Sequence, residues 1–384
     1  MIHSAYDRGE TDAVLNLNID LQTSPITPAE LVSQTFSTFA SKRGQAASIL
    51  NACLGMCCLQ KIPSYAHDLW KEWQHSADES GIQPDLVTMS LVYTCLLHGN
   101  GEMQTVAESI LGLAVRTSKK QGGSKRRKSM AAARRKAEPT SAASVESQLQ
   151  DILGSDFRIL QETDHLLIIS KPSGIACFHK HSTTAGKVKK GKGNADVSLE
   201  EALLHVNLPL STINSEARGI VHRLDRGTSG CLAIAKSDEA HAQLVSEFFL
   251  RQVSKKYICL LSPSVQWHSE QETPILIDSP VSGHVAQSKY RVLKSFDEAS
   301  LVEMETLTGR KHQVRVHAAE VLKSPIVGDP LYGGVGTSSN KLIQHSGTPN
   351  SFFLHAASIQ IPFSGGETIE APLPEWWSLA LNTL

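Results

Sequence analysis

The sequence predicts an α+β protein: a small helical region followed by a larger domain of strands with few helices between them. Three observations lead there. Residues 27–115 hold helix-forming runs and no alternating strand pattern. Residues 116–148 are rich in Lys, Arg, Ser, Ala and Gly and read as a flexible basic linker. Residues 149–384 carry one short apolar run after another, which favours α+β over a doubly wound sheet. Residues 1–26 read as irregular.

Within the helical region, Ser48–Trp73 and Val87–Leu113 share a layout: two helical runs separated by a break, the second with an alanine inside it (Ala66, Ala107). Asn51 and Ser90 would then be equivalent. The junction Gly81-Ile-Gln-Pro-Asp-Leu-Val-Thr88 resembles that of pentatricopeptide repeats, paired helices that stack into a solenoid. Two repeats are few for a self-standing solenoid, so a small bundle used for packing is the plainer alternative.

In the larger domain, Asp164–Ser170 is a buried-strand pattern bounded by Lys171-Pro172-Ser173-Gly174. Cys231–Ala235 is a second apolar strand. Asp238–Gln252 is a helix with Ala240, Leu244, Val245, Phe248 and Phe249 on one face, and His241 on its polar side reads as a surface residue. Tyr257–Leu261, Tyr290–Leu293, Leu301–Leu307 and Phe352–Ile361 are further strands. A helix is expected from about Arg310 to Leu322, and Trp376-Trp377 reads as a terminal packing anchor.

Composition narrows the functional classes. No run of about 18 apolar residues exists, so no membrane partner is expected. Seven cysteines, an odd number with no C-x-x-C pair, fit a reducing compartment and exclude a zinc ribbon. The first twenty residues, with Asp7, Glu10, Asp12 and Asp20, are neither a secretory signal nor an acid-poor transit peptide. The net charge of −1 conceals an asymmetry: residues 1–115 hold 12 acidic and 5 basic side chains, while residues 116–136 hold 10 basic and no acidic ones. That block is an electrostatic handle for polyanions, a nuclear-localisation cluster or a plain solvated linker.

Two stretches carry chemistry. In Gly219-Ile-Val-His222-Arg223-Leu224-Asp225-Arg226-Gly227-Thr228-Ser229-Gly230, a carboxylate sits between two arginines in a loop beside a strand. Beside guanidinium groups an aspartate is ionised at neutral pH, fit for nucleophile or base duty; an Asp–Arg brace of the turn is the alternative. In Leu307-Thr308-Gly309-Arg310-Lys311-His312-Gln313-Val314-Arg315-Val316-His317, a guanidinium at a helix N-terminus is badly placed for its own helix dipole and calls for a carboxylate elsewhere, such as Asp225. A zinc pair at His312 and His317 fails, because a spacing of five puts them on different faces. Gly186–Gly193 nearly spells a phosphate loop but lacks the final hydroxyl, which excludes an ATPase.

Together these stretches resemble the RluA-type pseudouridine synthases. The family's His-Arg-Leu-Asp loop stands at His222–Asp225, followed by Thr228-Ser229-Gly230. Its Thr-Gly-Arg-x-His-Gln-Val-Arg-x-His motif stands at Thr308–His317. Lys171–Gly174, Lys256-Tyr257, Pro325–Gly333 and Leu354–Ala356 match further segments in order, over about Phe157–Phe363. The resemblance implies a mixed, largely antiparallel sheet flanked by helices in a catalytic domain at 149–384. It implies a uridine-to-pseudouridine isomerase acting on structured RNA, rRNA or tRNA, as a monomer, with no cofactor and no metal. Asp225 would be the catalytic carboxylate, Tyr257 the ring that stacks on the flipped base, and Arg310 the partner of Asp225. Lys171, His222, Arg223, Leu224, Thr228, His312, Gln313 and Arg315 would form the substrate and RNA contacts. Extruding a base costs a few kcal/mol, which a stacking aromatic and basic residues offset. Where many relatives carry a small RNA-binding module ahead of the catalytic domain, this chain has its helical region, and residues His179–Asn194 are a basic insertion. The rival reading is an RNA-binding protein that keeps the fold without the activity. The compartment stays open.

Overall fold

The computed structural model describes residues 26–38, 43–121, 142–179, 197–215, 217–265, 273–336, 342 and 351–384. The acidic first residues, the basic block at 122–136, the core of the basic insertion and the phosphate-loop-like Gly186–Gly193 lie outside them. The chain divides into two compact units, one made of residues up to Gln121 together with Asp238–Gln252, the other of residues 122–237 and 253–384.

The first unit contains helices α1 (Pro28–Thr38), α2 (Arg43–Gln60), α3 (Pro63–Ser80), α4 (Leu86–Leu96) and α5 (Gly101–Gln121). Helix α3 stops at Gly81, whose φ of 66° closes a left-handed cap that few other residues adopt. The Trp73 indole then donates to the Ile82 carbonyl at 2.8 Å and folds the chain back. Asp85 caps α4 through a reciprocal box with Thr88. Helix α4 reads LVTMSLVYTCL and is buried nearly all round, with α2, α3 and α5 packed about it. Asn51 is buried and fully engaged: its Oδ1 accepts from the Thr88 hydroxyl at 2.7 Å and its Nδ2 donates to Asp85.

Helix α8 (Asp238–Phe249) completes this unit, although it lies between two strands of the sheet in sequence. It packs on α4 and α5, and the Ser246 hydroxyl meets that of Thr94 at 2.9 Å. His241 is correspondingly not a surface residue but fully buried. Neighbouring helices cover a face that a single amphipathic stripe leaves to water.

In the second unit, nine strands of the described residues form one sheet in the order β1-β2-β3-β8-β4-β7-β6-β5, with β9 on β8. The strands are β1 (Arg158–Glu162), β2 (Leu166–Lys171), β3 (Ser229–Ala235), β4 (Ser254–Leu261), β5 (Ile275–Asp278), β6 (Gln287–Ser295), β7 (Ser300–Thr306), β8 (Leu354–Gln360) and β9 (Thr368–Glu370). Among the described residues every strand pairing is antiparallel except β3 with β8, so the sheet is mixed and largely antiparallel. Helices α6 (Ala142–Leu153), α7 (Leu199–His205) and α10 (Glu375–Leu381) flank it. Helix α6 starts inside the stretch read as linker. The short edge strands β1, β5 and β9 escape the sequence pattern because three to five half-exposed residues leave little periodicity to read. The core falls into two apolar clusters, one about β2, β3, α6 and α7, the other about β4, β7, β8 and α10. Trp376 and Trp377 belong to the second, packed against Phe353, as the sequence anticipates.

At the centre of the sheet, Gly230 permits the close pass of β3 over β8. A Cβ there would fall 2.2 Å from the Ala356 carbonyl oxygen, and φ is +108°. The loop ending in Asp225 therefore enters β3 beside β8 and β4, the strands at the middle of the sheet.

Candidate active site

The Asp225 loop is pinned from behind. Lys171 is fully buried at the end of β2, and its ammonium donates to the carbonyls of Pro172 at 2.7 Å, Ile175 at 2.8 Å and Arg226 at 3.3 Å. Burial pushes its pKa down to about 8, while the Cys177 and Asp225 side chains act the other way. Ser173 donates to the Gly227 carbonyl at 2.6 Å and the Gly174 N–H to the Arg226 carbonyl at 2.8 Å. His222 accepts the Ala233 N–H at 2.9 Å, and Leu224 is buried in the apolar cluster. These contacts leave Asp225, with its side chain 20% exposed, at the surface of a rigid turn.

What meets it comes from the Thr308–His317 segment. The Thr308 hydroxyl donates to Gln313 Oε1 at 2.6 Å and the Arg310 N–H to the same oxygen at 3.0 Å. Gln313 Nε2 in turn donates to the Gln287 carbonyl and to Ser288. His312 adopts φ +59° at the N-cap, so the helix begins only at Gln313: α9 (Gln313–Val316) is one turn and passes into a π-helical turn, His317–Val321. This turn aims Arg315 at Asp225, Nη1 to Oδ2, at 2.9 Å.

Arg315 is the pivot of the site. It is 3% exposed, and its Nε and Nη2 donate to Asp329 Oδ2 and Oδ1 at 2.6 and 2.8 Å, a two-pronged grip on a carboxylate with no exposure at all. Its guanidinium lies 5.1 Å from the Tyr332 ring centroid and 4.7 Å from that of Phe352. Asp329 also accepts the Leu331 N–H at 2.9 Å. The turn holding Asp329 and Tyr332 closes at Gly334, where a Cβ would lie 1.7 Å from the Ile326 carbonyl oxygen. On the other side of Asp225, His312 Nε2 stands 3.5 Å from Oδ1.

Residues 165–320 match the family described as RNA pseudouridylate synthase. The chain is 35% identical over 241 residues to the ribosomal large subunit pseudouridine synthase D of Zymomonas mobilis, covering 59% of this chain and 72% of that one. It is 33% identical over 264 residues to the protein of the same name from Pseudomonas aeruginosa, covering 64% and 76%. The chain belongs to the RNA pseudouridylate synthase family. A rice relative, RNA pseudouridine synthase 2, chloroplastic, is 32% identical over 48% of this chain and 51% of its own. Among solved structures, the human RNA pseudouridylate synthase domain containing 4 superposes with a TM-score of 0.44 at 21% identity, covering 62% of this chain and 95% of that one. The chain is thus an RNA-modifying isomerase, and RNA is its class of substrate. Among the described residues no helix is long and apolar enough to cross a membrane.

Within this synthase the structure revises the sequence's placement of five residues. The guanidinium on Asp225 is that of Arg315 and not of Arg310, whose Nε donates to the Val285 carbonyl at 2.8 Å. The reason is the late helix start, which leaves Arg310 in the preceding loop. Lys171 and Gln313 face inward and hold backbone, so they are braces and not RNA contacts. Leu224 and Thr228 are likewise buried. Arg223 is exposed, its guanidinium 5.6 Å from the Phe178 ring centroid. Tyr257 sits in β4 opposite Ala356 and Met304; burial, then the charge of Asp225, push its phenol well above the ordinary range, so it stays protonated. Asp329 and Tyr332 went unassigned, although the Pro325–Gly333 segment that carries them was legible as a motif.

Proposed function

We propose that Asp225 is the carboxylate that acts on the target uridine, held in place by Arg315, and that the substrate is ribosomal or transfer RNA. The observation that carries the reading is the unequal setting of Asp225: one oxygen is fixed by a buried guanidinium while the carboxylate stays partly open to solvent. An aspartate fixed in this way keeps its direction, a requirement of a nucleophile or base. The isomerisation breaks the N1–C1′ bond and makes a C5–C1′ bond, with the C5 hydrogen passing to water and N1 gaining a proton. No electrons enter or leave. Tyr257, a neutral phenol, can stack on the extruded ring and donate a hydrogen bond, but it is not a base at neutral pH. Arg223, Arg226 and Lys311 are exposed beside Asp225 and His312 in sequence and suit phosphate contacts. The names of the bacterial relatives favour large-subunit rRNA as the substrate.

The helical unit extends this reading. Its two helical hairpins, α2–α3 and α4–α5, have the layout of a pentatricopeptide-like pair, and α1 and α8 supply the flanking surfaces that two repeats lack. The engaged amide of Asn51 favours packing over base reading at that position. We take residues 27–115 as this repeat-like region, 116–148 as the segment joining it to the catalytic domain at 149–384, and the molecule as a monomer.

The test is tritium release from bulk RNA labelled with 5-tritiated uridine. Purified protein is expected to release tritium and Asp225→Asn to release none while still binding RNA. An Asp225→Asn protein with wild-type release would overturn the assignment. Pseudouridine mapping of all cellular RNAs with and without the gene identifies the target.

A further inference from the structure

The two oxygens of Asp225 are held unequally. Oδ2 accepts from Arg315 at 2.9 Å, while Oδ1 faces His312 Nε2 at 3.5 Å, longer than a good hydrogen bond. The other ring nitrogen of His312, Nδ1, lies 3.0 Å from the Tyr332 hydroxyl. Burial keeps that phenol neutral, so it can donate to Nδ1. Accepting there leaves the proton of a neutral imidazole on Nε2, the nitrogen that faces Asp225. The ring is also held: His312 has a left-handed backbone, and its ring meets that of Tyr332 edge-on at 5.8 Å. Tyr332 in turn lies against the Arg315 guanidinium. One phenol thus touches both groups that hold the carboxylate.

We propose that His312 is a positioning residue for Asp225, its proton directed by Tyr332, and that it sets how firmly the second carboxylate oxygen is held as pH changes. The proposal rests on the reading of Asp225 as the acting carboxylate. In the neutral ring, Nε2–H is a weak, long donor, and Oδ1 remains available to the nucleotide. In the imidazolium, Nε2–H pairs with Oδ1 as an ion pair, Nδ1–H turns donor, the Tyr332 hydroxyl rotates to accept, and the carboxylate loses reactivity. The charged groups facing His312 are Asp225 from the loop before β3 and Asp329 from the 325–334 turn, which favour the imidazolium, and Arg315 and Lys311 from its own segment, which oppose it. Burial opposes it most, and the net shift is downward. The neutral ring therefore prevails at neutral pH, and the imidazolium forms on the acid side.

The experiment measures single-turnover tritium release from bulk RNA labelled with 5-tritiated uridine, taken from cells lacking the gene, across about pH 5–8, the span in which histidine changes charge. The variants are Tyr332→Phe, which keeps the ring against Arg315, and His312→Asn, which tolerates the left-handed backbone and loses the reach to Asp225. Each is expected to slow release about five- to tenfold at neutral pH, the size of one lost hydrogen bond, with RNA affinity unchanged. Each also flattens the acid limb, and the double variant is no slower than the slower single. Wild-type rate and acid limb in both singles, additive losses in the double, or a loss of affinity in place of rate each overturns the proposal. Asp225→Asn is run alongside. Wild-type release by that variant instead defeats the reading of Asp225 itself, a result distinct from the others.

Discussion

His355 and His241 are both buried, and burial drives both pKa values down to about 4, yet their surroundings differ. His355, in β8 at the centre of the sheet, has Ser229 Oγ at 2.8 Å from one nitrogen and the Ala371 carbonyl at 3.1 Å from the other. His241, in α8 of the helical unit, has a hydrogen-bond partner for neither nitrogen among the described residues. The contrast extends outward. Around the site, Lys171, Gln313, Arg315, His317 and Asp329 spend polar atoms on backbone or on neighbouring polar side chains such as Ser288 and Asp225. A polar group buried with partners costs little and fixes geometry; one buried without costs the full loss of its hydration. Around Asp225 buried polarity aims a carboxylate, whereas at His241 it is the consequence of covering a helix face that carries a histidine.

The largest expected effect tests the aimed side. Arg315→Ala leaves the Asp329 carboxylate buried without its counter-charge, a loss of about 3–5 kcal/mol in stability, and frees Asp225. Denaturant unfolding should show the first effect, and tritium release should fall at least about a hundredfold from the second. Arg315→Lys separates the two, since a point charge keeps some stability but cannot grip Asp329 with two prongs. Arg310→Ala sharpens the same point from the opposite direction: its turnover should stay within about threefold of wild type, because the guanidinium paired with Asp225 belongs to Arg315 and is retained. A loss comparable to that of Arg315→Ala would return Arg310 to the centre of the site.

The next effect lies in the helical unit. The folded pKa of His241 is below its ordinary 6.5, so between about 4 and 6.5 the folded chain binds fewer protons than the unfolded one. Stability contributed by the neutral ring is lost as pH falls through that window. His241→Leu should therefore gain on wild type by on the order of 2 kcal/mol as pH falls from 7 to about 4, read as slower hydrogen exchange in α4 and α8. A gap that does not change with pH would mean that the ring is hydrated. The smallest effect is at Thr94, whose replacement by Val should cost less than about 1 kcal/mol, because Ser246 retains the Ala242 carbonyl at 3.0 Å.

The stretches that form the candidate site are legible because motifs fix residue identity and order. His222–Asp225, Thr308–His317 and Pro325–Gly333 carry the family resemblance by residue identity alone, and the apolar runs at Leu166, Cys231 and Leu354 mark strands. Which arginine meets Asp225 was not legible. Arg310 and Arg315 lie five residues apart in one basic stretch, and the choice hangs on a left-handed backbone at His312 and a Thr308–Gln313 hydrogen bond that begin the helix three residues late. Lys171 reads as an RNA contact in one dimension and proves to be a buried brace, because carbonyls from two separate loops converge on its ammonium.

By itself, then, the sequence determined the class of fold, the family and the set of side chains that can take part, since these follow from local periodicity and residue identity. Tertiary structure alone decided the pairings: Arg315 with Asp225 and Asp329, His312 with Tyr332, and α8 with the helices of the first unit. Such partners are 14 to about 150 residues apart in the chain. Their choice depends on direction and on exclusion of water, quantities that exist only once the segments are packed.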